Sequence, residues 1–222
     1  MTAVVMAKAP RPGHVKTRLH PVLGPVGCAK LQAALIRQTC GVVADAGLGC
    51  VVAVDPPDAV ADVAALLPPS AAVIGQSPGD LGERMRDAAR FAFAAGPAPV
   101  LLVGVDVPTL RSRQLTGAIA LLRAGADVVL GPAVDGGYYL LGLRRPADAV
   151  FGLAPAAWGG STVLDDTLAL ARRHRLGVRL LEPLTDLDTA ADATTLLADR
   201  LLPGDVADVL CGVRHGQPVA AR

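Results

Sequence analysis

Short apolar runs alternate with amphipathic stretches along almost the whole chain. Thr2-Ala3-Val4-Val5-Met6-Ala7 reads as a first strand. Gly27 to Ala46 then has helical spacing, with Leu31, Leu35, Thr39 and Val42 near one face and Lys30 and Arg37 off it. Cys50–Val54 is a second strand, closed by Asp55-Pro56-Pro57. A short helix through Val60, Val63 and Leu67 leads to a strand at Ala71–Ile74, and Leu81–Ala95 is helical up to Gly96-Pro97. Val100–Val105 is continuously apolar, as an interior strand covered by helices on both faces should be. Leu115–Leu122 is the next helix, followed by strands at Val128–Leu130 and Tyr138–Leu143. Thr162–His174 follows Ser161, a candidate N-cap, and turns Val163, Leu164, Leu168 and Ala171 inward. Val178–Leu181 and Ala190–Leu201 give a late strand and a late helix. The segment after Pro203 has weak periodicity, which predicts a frayed or peripheral tail.

Strands alternating with helices of this size predict βα units and a mainly parallel sheet. Tyr138–Leu143 follows Val128–Leu130 too closely for a crossover helix, so an antiparallel element is expected there. No repeat or linker divides the chain, and residues 1–202 are expected to form one domain with 203–222 as its tail.

Composition narrows the partners. The 222 residues are 52% hydrophobic and 18% charged, which excludes disorder and supports a substantial core. A formal net charge of +1 lacks the basic excess of a nucleic-acid binder. No apolar run of membrane length is free of charge, Gly or Pro, and Thr2–Ala7 reads as a strand rather than as a basic stretch followed by an apolar leader. A cytoplasmic protein without membrane insertion is therefore expected; its oligomeric state is not legible. Cys28, Cys40, Cys50 and Cys211 show no CxxC spacing and read as small apolar residues, while His14, His20, His174 and His215 form no metal-binding cluster.

The densest chemistry lies in Met6–Leu19, where Lys8, Arg11, Lys16 and Arg18 cluster around Gly13 and two prolines. Two of the chain's three lysines are here. A loop leaving the carboxyl end of the first strand is where open α/β sheets bind ligands, and such cations suit a phosphate-rich one. An ordinary charged surface loop is the plainer alternative. If these cations bind phosphate from the surface, truncating Lys16 or Arg18 should weaken binding and leave stability almost unchanged.

Asp106 ends the most apolar strand, facing the sheet edge, and needs a partner. That partner is either a divalent cation or the amide end of the next helix. Asp186-Leu187-Asp188-Thr189 offers one Asp as a helix cap and another for the same site, where Asp106 and Asp188 with phosphate oxygens would make an Mg²⁺ or Mn²⁺ site. Asp135-Gly136-Gly137-Tyr138-Tyr139 is either a plain turn before a strand or a place where a base and free amides meet an acceptor. Gln76–Arg84 joins a strand to a helix, with Asp80 and Glu83 spaced as a capping box. A GxGxxG fingerprint, a GxxxxGK[ST] loop and a GxSxG elbow are all absent.

These motifs together resemble the DUF2064 family, labelled glycosyltransferase A-like or rSAM/selenodomain-associated transferase, of the nucleotide-diphospho-sugar transferase superfamily. More distantly they resemble the guanylyltransferases that act on phospholactate or phosphoenolpyruvate in deazaflavin-cofactor biosynthesis. The resemblance runs from about Val4 to Leu197. Its anchors are Ala7–Pro10, Gly13–Leu19, Gly79–Met85, Gly104–Leu110, Gly131–Leu143 and Asp186–Thr189. It implies a three-layer α/β/α sandwich with nucleotide over the first half of the sheet and acceptor over the second. It also implies that Asp106 and Asp188 bind metal and that Lys16 and Arg18 hold the phosphate chain.

Taken with the residue reading, Lys16, Asp106 and Asp135 are the catalytic candidates. Ala7, Lys8, Arg11, Gly13, Lys16, Arg18, Gln76, Asp80 and Leu81 are candidates for binding the nucleotide. Asp135, Gly136, Gly137 and Tyr138 are candidates for binding the acceptor. Gly104 stands where many glycosyltransferases carry the first Asp of Asp-x-Asp. The expected activity is metal-dependent nucleotidyl transfer from a nucleoside triphosphate to a small phosphorylated or acidic acceptor, with pyrophosphate released. Glycosyl transfer from a nucleotide-diphospho-sugar and nucleotide binding without turnover are the alternatives.

Overall fold

β1 (Thr2–Lys8) and β4 (Val100–Gly104) lie side by side and parallel at the middle of a seven-stranded sheet. In this computed structural model, which describes residues 1–212, the strand order is β3-β2-β1-β4-β6-β5-β7. β2 (Gly49–Asp55) and β3 (Ala72–Gly75) extend the parallel half, and β7 (Val178–Leu180) pairs in parallel with β5 (Val128–Pro132). β6 (Tyr138–Leu143) runs antiparallel to both β4 and β5, as the short connection from β5 requires.

Side-chain alternation sorts the central strands into two cores. Ala3, Val5 and Ala7 of β1, with Leu101 and Val103 of β4, face α1 (His20–Asp45), α4 (Ser112–Arg123), α6 (Ala190–Leu197) and α7 (Gly204–Gly212). Val4, Val100 and Leu102 face α3 (Leu81–Ala95), the Asp148–Phe151 turn and the partly buried Leu164 and Leu168 of α5 (Val163–Arg173). β4 is therefore dry on both faces, and the molecule is a three-layer sandwich.

Several boundaries differ from the sequence expectation. α1 begins at His20 rather than Gly27, because an initial turn continues across a break at Gly24 (φ 64°), where Pro25 restarts the helix. The stretch expected to be one helix at Ala190–Leu201 stops at Leu197. The chain then forms α7, whose Val206 and Leu210 are buried on the α1 side. The remainder of the expected tail, 213–222, lies outside the described residues. Thr162, not Ser161, occupies the position before α5, and its hydroxyl bonds Asp166 instead of a backbone amide. A short helix, α2 (Val60–Ala64), crosses between β2 and β3. Cys211 is exposed, unlike the buried Cys28 and Cys40. Among the described residues, no helix is long and apolar enough to cross a membrane.

Candidate functional site

The carboxyl ends of β1, β2 and β4 open into a cavity of about 560 Å³, at the edge where such sheets hold ligands. Its centre is an ion cluster. Lys16 reaches back from the loop after β1 in a left-handed conformation (φ 49°, ψ 42°), unusual for a residue with a Cβ. Its Nζ lies 2.5 Å from Asp106 Oδ1, and it donates to Asp188 Oδ1 at 2.9 Å and to the Leu187 carbonyl at 2.6 Å. Two hydrogen bonds and a close ion pair thus hold the ammonium.

Burial alone would push Lys16 toward the neutral form. The carboxylates of Asp106 and then Asp188 outweigh it and hold its pKa above the ordinary lysine value. The Lys16 side chain is only 5% exposed, so it is not the surface cation the sequence suggests.

Backbone bonds bring the two distant carboxylates together. The Leu187 amide donates to the Asp106 carbonyl at 2.8 Å, stitching the 186–188 loop to the end of β4. Thr189 and Asp192 then cap α6 reciprocally, so neither Asp186 nor Asp188 is spent on that cap. Asp188 is thus fixed from both sides and left free to face Lys16. Asp186 lies nearby and is pushed up to about 6, first by burial and then by the charges of Asp135 and Asp188.

On the nucleotide side, Ala7, Lys8, Lys16, Arg18, Gln76 and Leu81 all line the cavity. Lys8 and Arg18 are exposed and make no ion pair among the described residues. Gln76 is occupied: its amide donates to the carbonyls of Ala53 (2.8 Å) and Ala7 (3.3 Å), tying β1 to β2. Three other candidates stand off the wall. Arg11 is drawn to Asp58 at 3.0 Å, Gly13 turns the loop at φ 86°, and Asp80 caps α3 in a box with Glu83. Each is engaged in local structure, which fixes the loop or the helix.

The other side of the cavity belongs to the 133–139 turn, the Trp158–Val163 segment and Asp186. Asp135 accepts from the Gly137 amide at 2.9 Å, closing an Asx turn with one oxygen. Gly136 does not line the cavity; it packs so closely on the next segment that a Cβ there would collide with the Ser161 carbonyl oxygen. The Gly136 amide bonds Ala133, so neither glycine offers the free amide that the paired glycines suggest. Tyr139 is buried and donates to the Glu182 carbonyl, while the Tyr138 hydroxyl is buried with no partner among the described residues.

Sequence reasoning missed four wall residues. Arg84 pairs with Asp55 at 3.0 Å, and Gln32 holds the Lys8 carbonyl at 3.0 Å. Trp158 packs against Gly82, where a Cβ would meet its ring at 2.6 Å. Asp55-Pro56 at a strand end and the lone Trp in a Gly-rich stretch were the available signals.

Known proteins supply a frame for this geometry. The sequence profile of DUF2064, described as an uncharacterized protein conserved in bacteria, matches residues 28–159. The phosphoenolpyruvate guanylyltransferase of Rubrobacter xylanophilus is 30% identical over 188 residues, covering 82% of this chain and 87% of that protein. A protein from Desulfovibrio desulfuricans G20, provisionally described as a nucleotide-diphospho-sugar transferase, superposes with a TM-score of 0.85 at 30% identity, over 96% of this chain and 98% of the other. CMP-2-keto-3-deoxy-manno-octonic acid synthetase, solved with CTP, shares the fold at a TM-score of 0.53 and 15% identity, over 88% and 95% of the two chains.

Proposed function

The chain belongs to the DUF2064 family and is a nucleotide-dependent transferase, and on that premise we propose that it transfers a nucleotidyl group from a nucleoside triphosphate to a small phosphorylated acceptor. The observation that carries this reading is the joining of Lys16, Asp106 and Asp188 beside Lys8 and Arg18, which are unpaired among the described residues.

Lys8 and Arg18 are positioned to hold the phosphate chain, with Arg offering a planar fork and Lys a point charge. An acceptor phosphate oxygen, already ionised, attacks the α-phosphorus. The bond to the oxygen bridging toward the β-phosphorus breaks, and pyrophosphate leaves with the electron pair. No proton need be removed from this nucleophile. Cations fixed before the reaction stabilise the charge that grows on the leaving group without reorganising.

The cluster suits a divalent cation. Asp106 and Asp188 already converge on one positive charge, both are partly exposed, and their Oδ2 atoms receive no donor among the described residues. Asp106 and Asp188 would hold Mg²⁺ or Mn²⁺ with two protein oxygens, leaving other positions for phosphate and water. Such an ion supplies charge neutralisation at the phosphates. Lys16 keeps the two carboxylates together when no substrate is present.

Glycosyl transfer from a nucleotide-diphospho-sugar is the second reading. It is favoured by Asp135, which lines the cavity and has one oxygen outside the Asx turn to serve as base for an acceptor hydroxyl. Incubation with Mg²⁺, each of the four nucleoside triphosphates and a set of phosphorylated acceptors tests the choice. Pyrophosphate release supports nucleotidyl transfer. Release of nucleoside diphosphate from nucleotide-sugars, with no pyrophosphate in any mixture, would replace it with glycosyl transfer.

A further inference from the structure

The two sides of the cavity carry opposite charge. Lys8, Lys16, Arg18 and Arg84 all come from β1, the loop behind it and α3. The wall built by residues 133–139, 158–163 and 186–188 carries Asp135, Asp186 and Asp188 and, among the described residues, no cation. Asp188 is engaged by Lys16; Asp135 and Asp186 have no cationic partner among the described residues and repel one another.

Four backbone amides of the 133–137 turn do not offset these charges. Those of Ala133, Val134, Gly136 and Gly137 already donate to Gly137, Leu184, Ala133 and Asp135. An acceptor carboxylate placed against Asp135 and Asp186 would therefore meet two like charges, with these four amides already engaged. A carboxylate can only accept hydrogen bonds, so the complementary ligand group is a donor.

We propose that, within the nucleotidyl-transfer reading on which this rests, the organic part of the acceptor is non-anionic and presents hydrogen-bond donors to Asp135 and Asp186. The phosphate of such an acceptor sits toward the Lys16 cluster, and hydroxyl or amine groups face the acidic wall. This separates the chain from its Rubrobacter relative, whose named acceptor, phosphoenolpyruvate, carries a carboxylate beside its phosphate.

The test is a panel of small phosphate esters offered with Mg²⁺ and nucleoside triphosphates. Glycerol 3-phosphate and glucose 1-phosphate form the hydroxyl arm, phosphoethanolamine the amine arm, and phosphoenolpyruvate and 2-phospholactate the acid arm. Pyrophosphate release gives kcat/KM. Calorimetry with a non-hydrolysable triphosphate analogue gives affinity whether or not turnover occurs. A hydroxyl or amine ester preferred by about tenfold or more over both acids supports the proposal, and the winning arm identifies the donor.

In Asp186→Asn and Asp135→Asn, whose side-chain amides can donate to a carboxylate, the preference should shift about tenfold toward the acids. The Asp135→Asn side chain keeps an oxygen for the Gly137 amide, and melting temperatures no lower than the wild type's would show that both variants fold. Equal or better use of the acids by the wild type, or a preference that neither variant moves, would overturn the acceptor assignment and leave nucleotidyl transfer standing. Nucleoside diphosphate release from nucleotide-sugars without pyrophosphate would instead remove the reading beneath it.

Discussion

The two walls of the cavity are built differently, and the difference divides their roles. The cationic wall is largely one continuous segment, residues 6–18, braced by Gln32 at the Lys8 carbonyl and by the cap that starts at Lys16. The acidic wall is assembled from three separate segments held by backbone bonds, such as Leu187 to Asp106 and Leu164 to Gly136. A single loop can set the spacing of several charges toward a polyphosphate. A wall of three segments can change its recognition without disturbing the phosphate grip. Lys16 joins the two, since it belongs to the first wall and its partners belong to β4 and the second.

The largest effect should come from the joint itself. Asp106→Asn removes charge from the centre and should lower kcat/KM for pyrophosphate release by about 10²–10³, with the fold intact by circular dichroism. Lys16→Met should weaken nucleotide binding and also destabilise the protein by about 1–2 kcal/mol. This is less than a fully buried pair would lose, because the carboxylates are half in solvent. Mg²⁺ should restore part of the lost melting temperature in Lys16→Met. A variant that melts like the wild type would detach the cluster from stability.

Within the cationic wall, Lys8→Ala and Arg18→Ala should each reduce nucleotide affinity by about ten- to a hundredfold in calorimetry, with melting temperature unchanged. Arg11→Ala is the internal contrast. Arg11 is held by Asp58 and Asp62 away from the cavity, so its loss should leave affinity within about twofold.

The smallest effect lies in the acidic wall. Burial and then Asp135 raise Asp186 to about 6, so its ionised form destabilises the folded state at neutral pH. Asp186→Asn should therefore stabilise the protein at pH 7.5, by about 1 kcal/mol after allowing for its partial exposure. The gain should shrink as pH falls through about 6 and vanish below about 4, where wild-type Asp186 is protonated in both states. Thermal melts across that range in metal-free buffer read it directly.

Much of this was legible in the sequence because it is local. The continuous apolarity of Val100–Val105 marks an interior strand, and the short Leu130-to-Tyr138 connection marks the antiparallel pair. The capping box at Asp80 and Glu83 is a three-residue spacing. Other features depend on distant partners. Arg11 reads like Lys8 and Arg18 until Asp58 and Asp62 come beside it. Lys16 reads as a surface cation until the chain delivers Asp106 and Asp188. Trp158 has no sequence pattern, because its role comes from Gly82 on a remote helix. α7 has too short a periodic run to stand out before α1 is there to cover Val206 and Leu210.

The central claim, that the cluster serves attack at the α-phosphorus, is tested most directly by following the phosphates. Each nucleoside triphosphate, labelled with ³²P at either the α or the γ position, is incubated with protein, Mg²⁺ and the phosphate-ester panel. The products are then separated. Nucleotidyl transfer predicts that α label enters a new nucleotidyl-acceptor while γ label appears only in pyrophosphate, and that both are lost in Asp106→Asn. Transfer of γ label to the acceptor, or pyrophosphate release undiminished in Asp106→Asn, would contradict it.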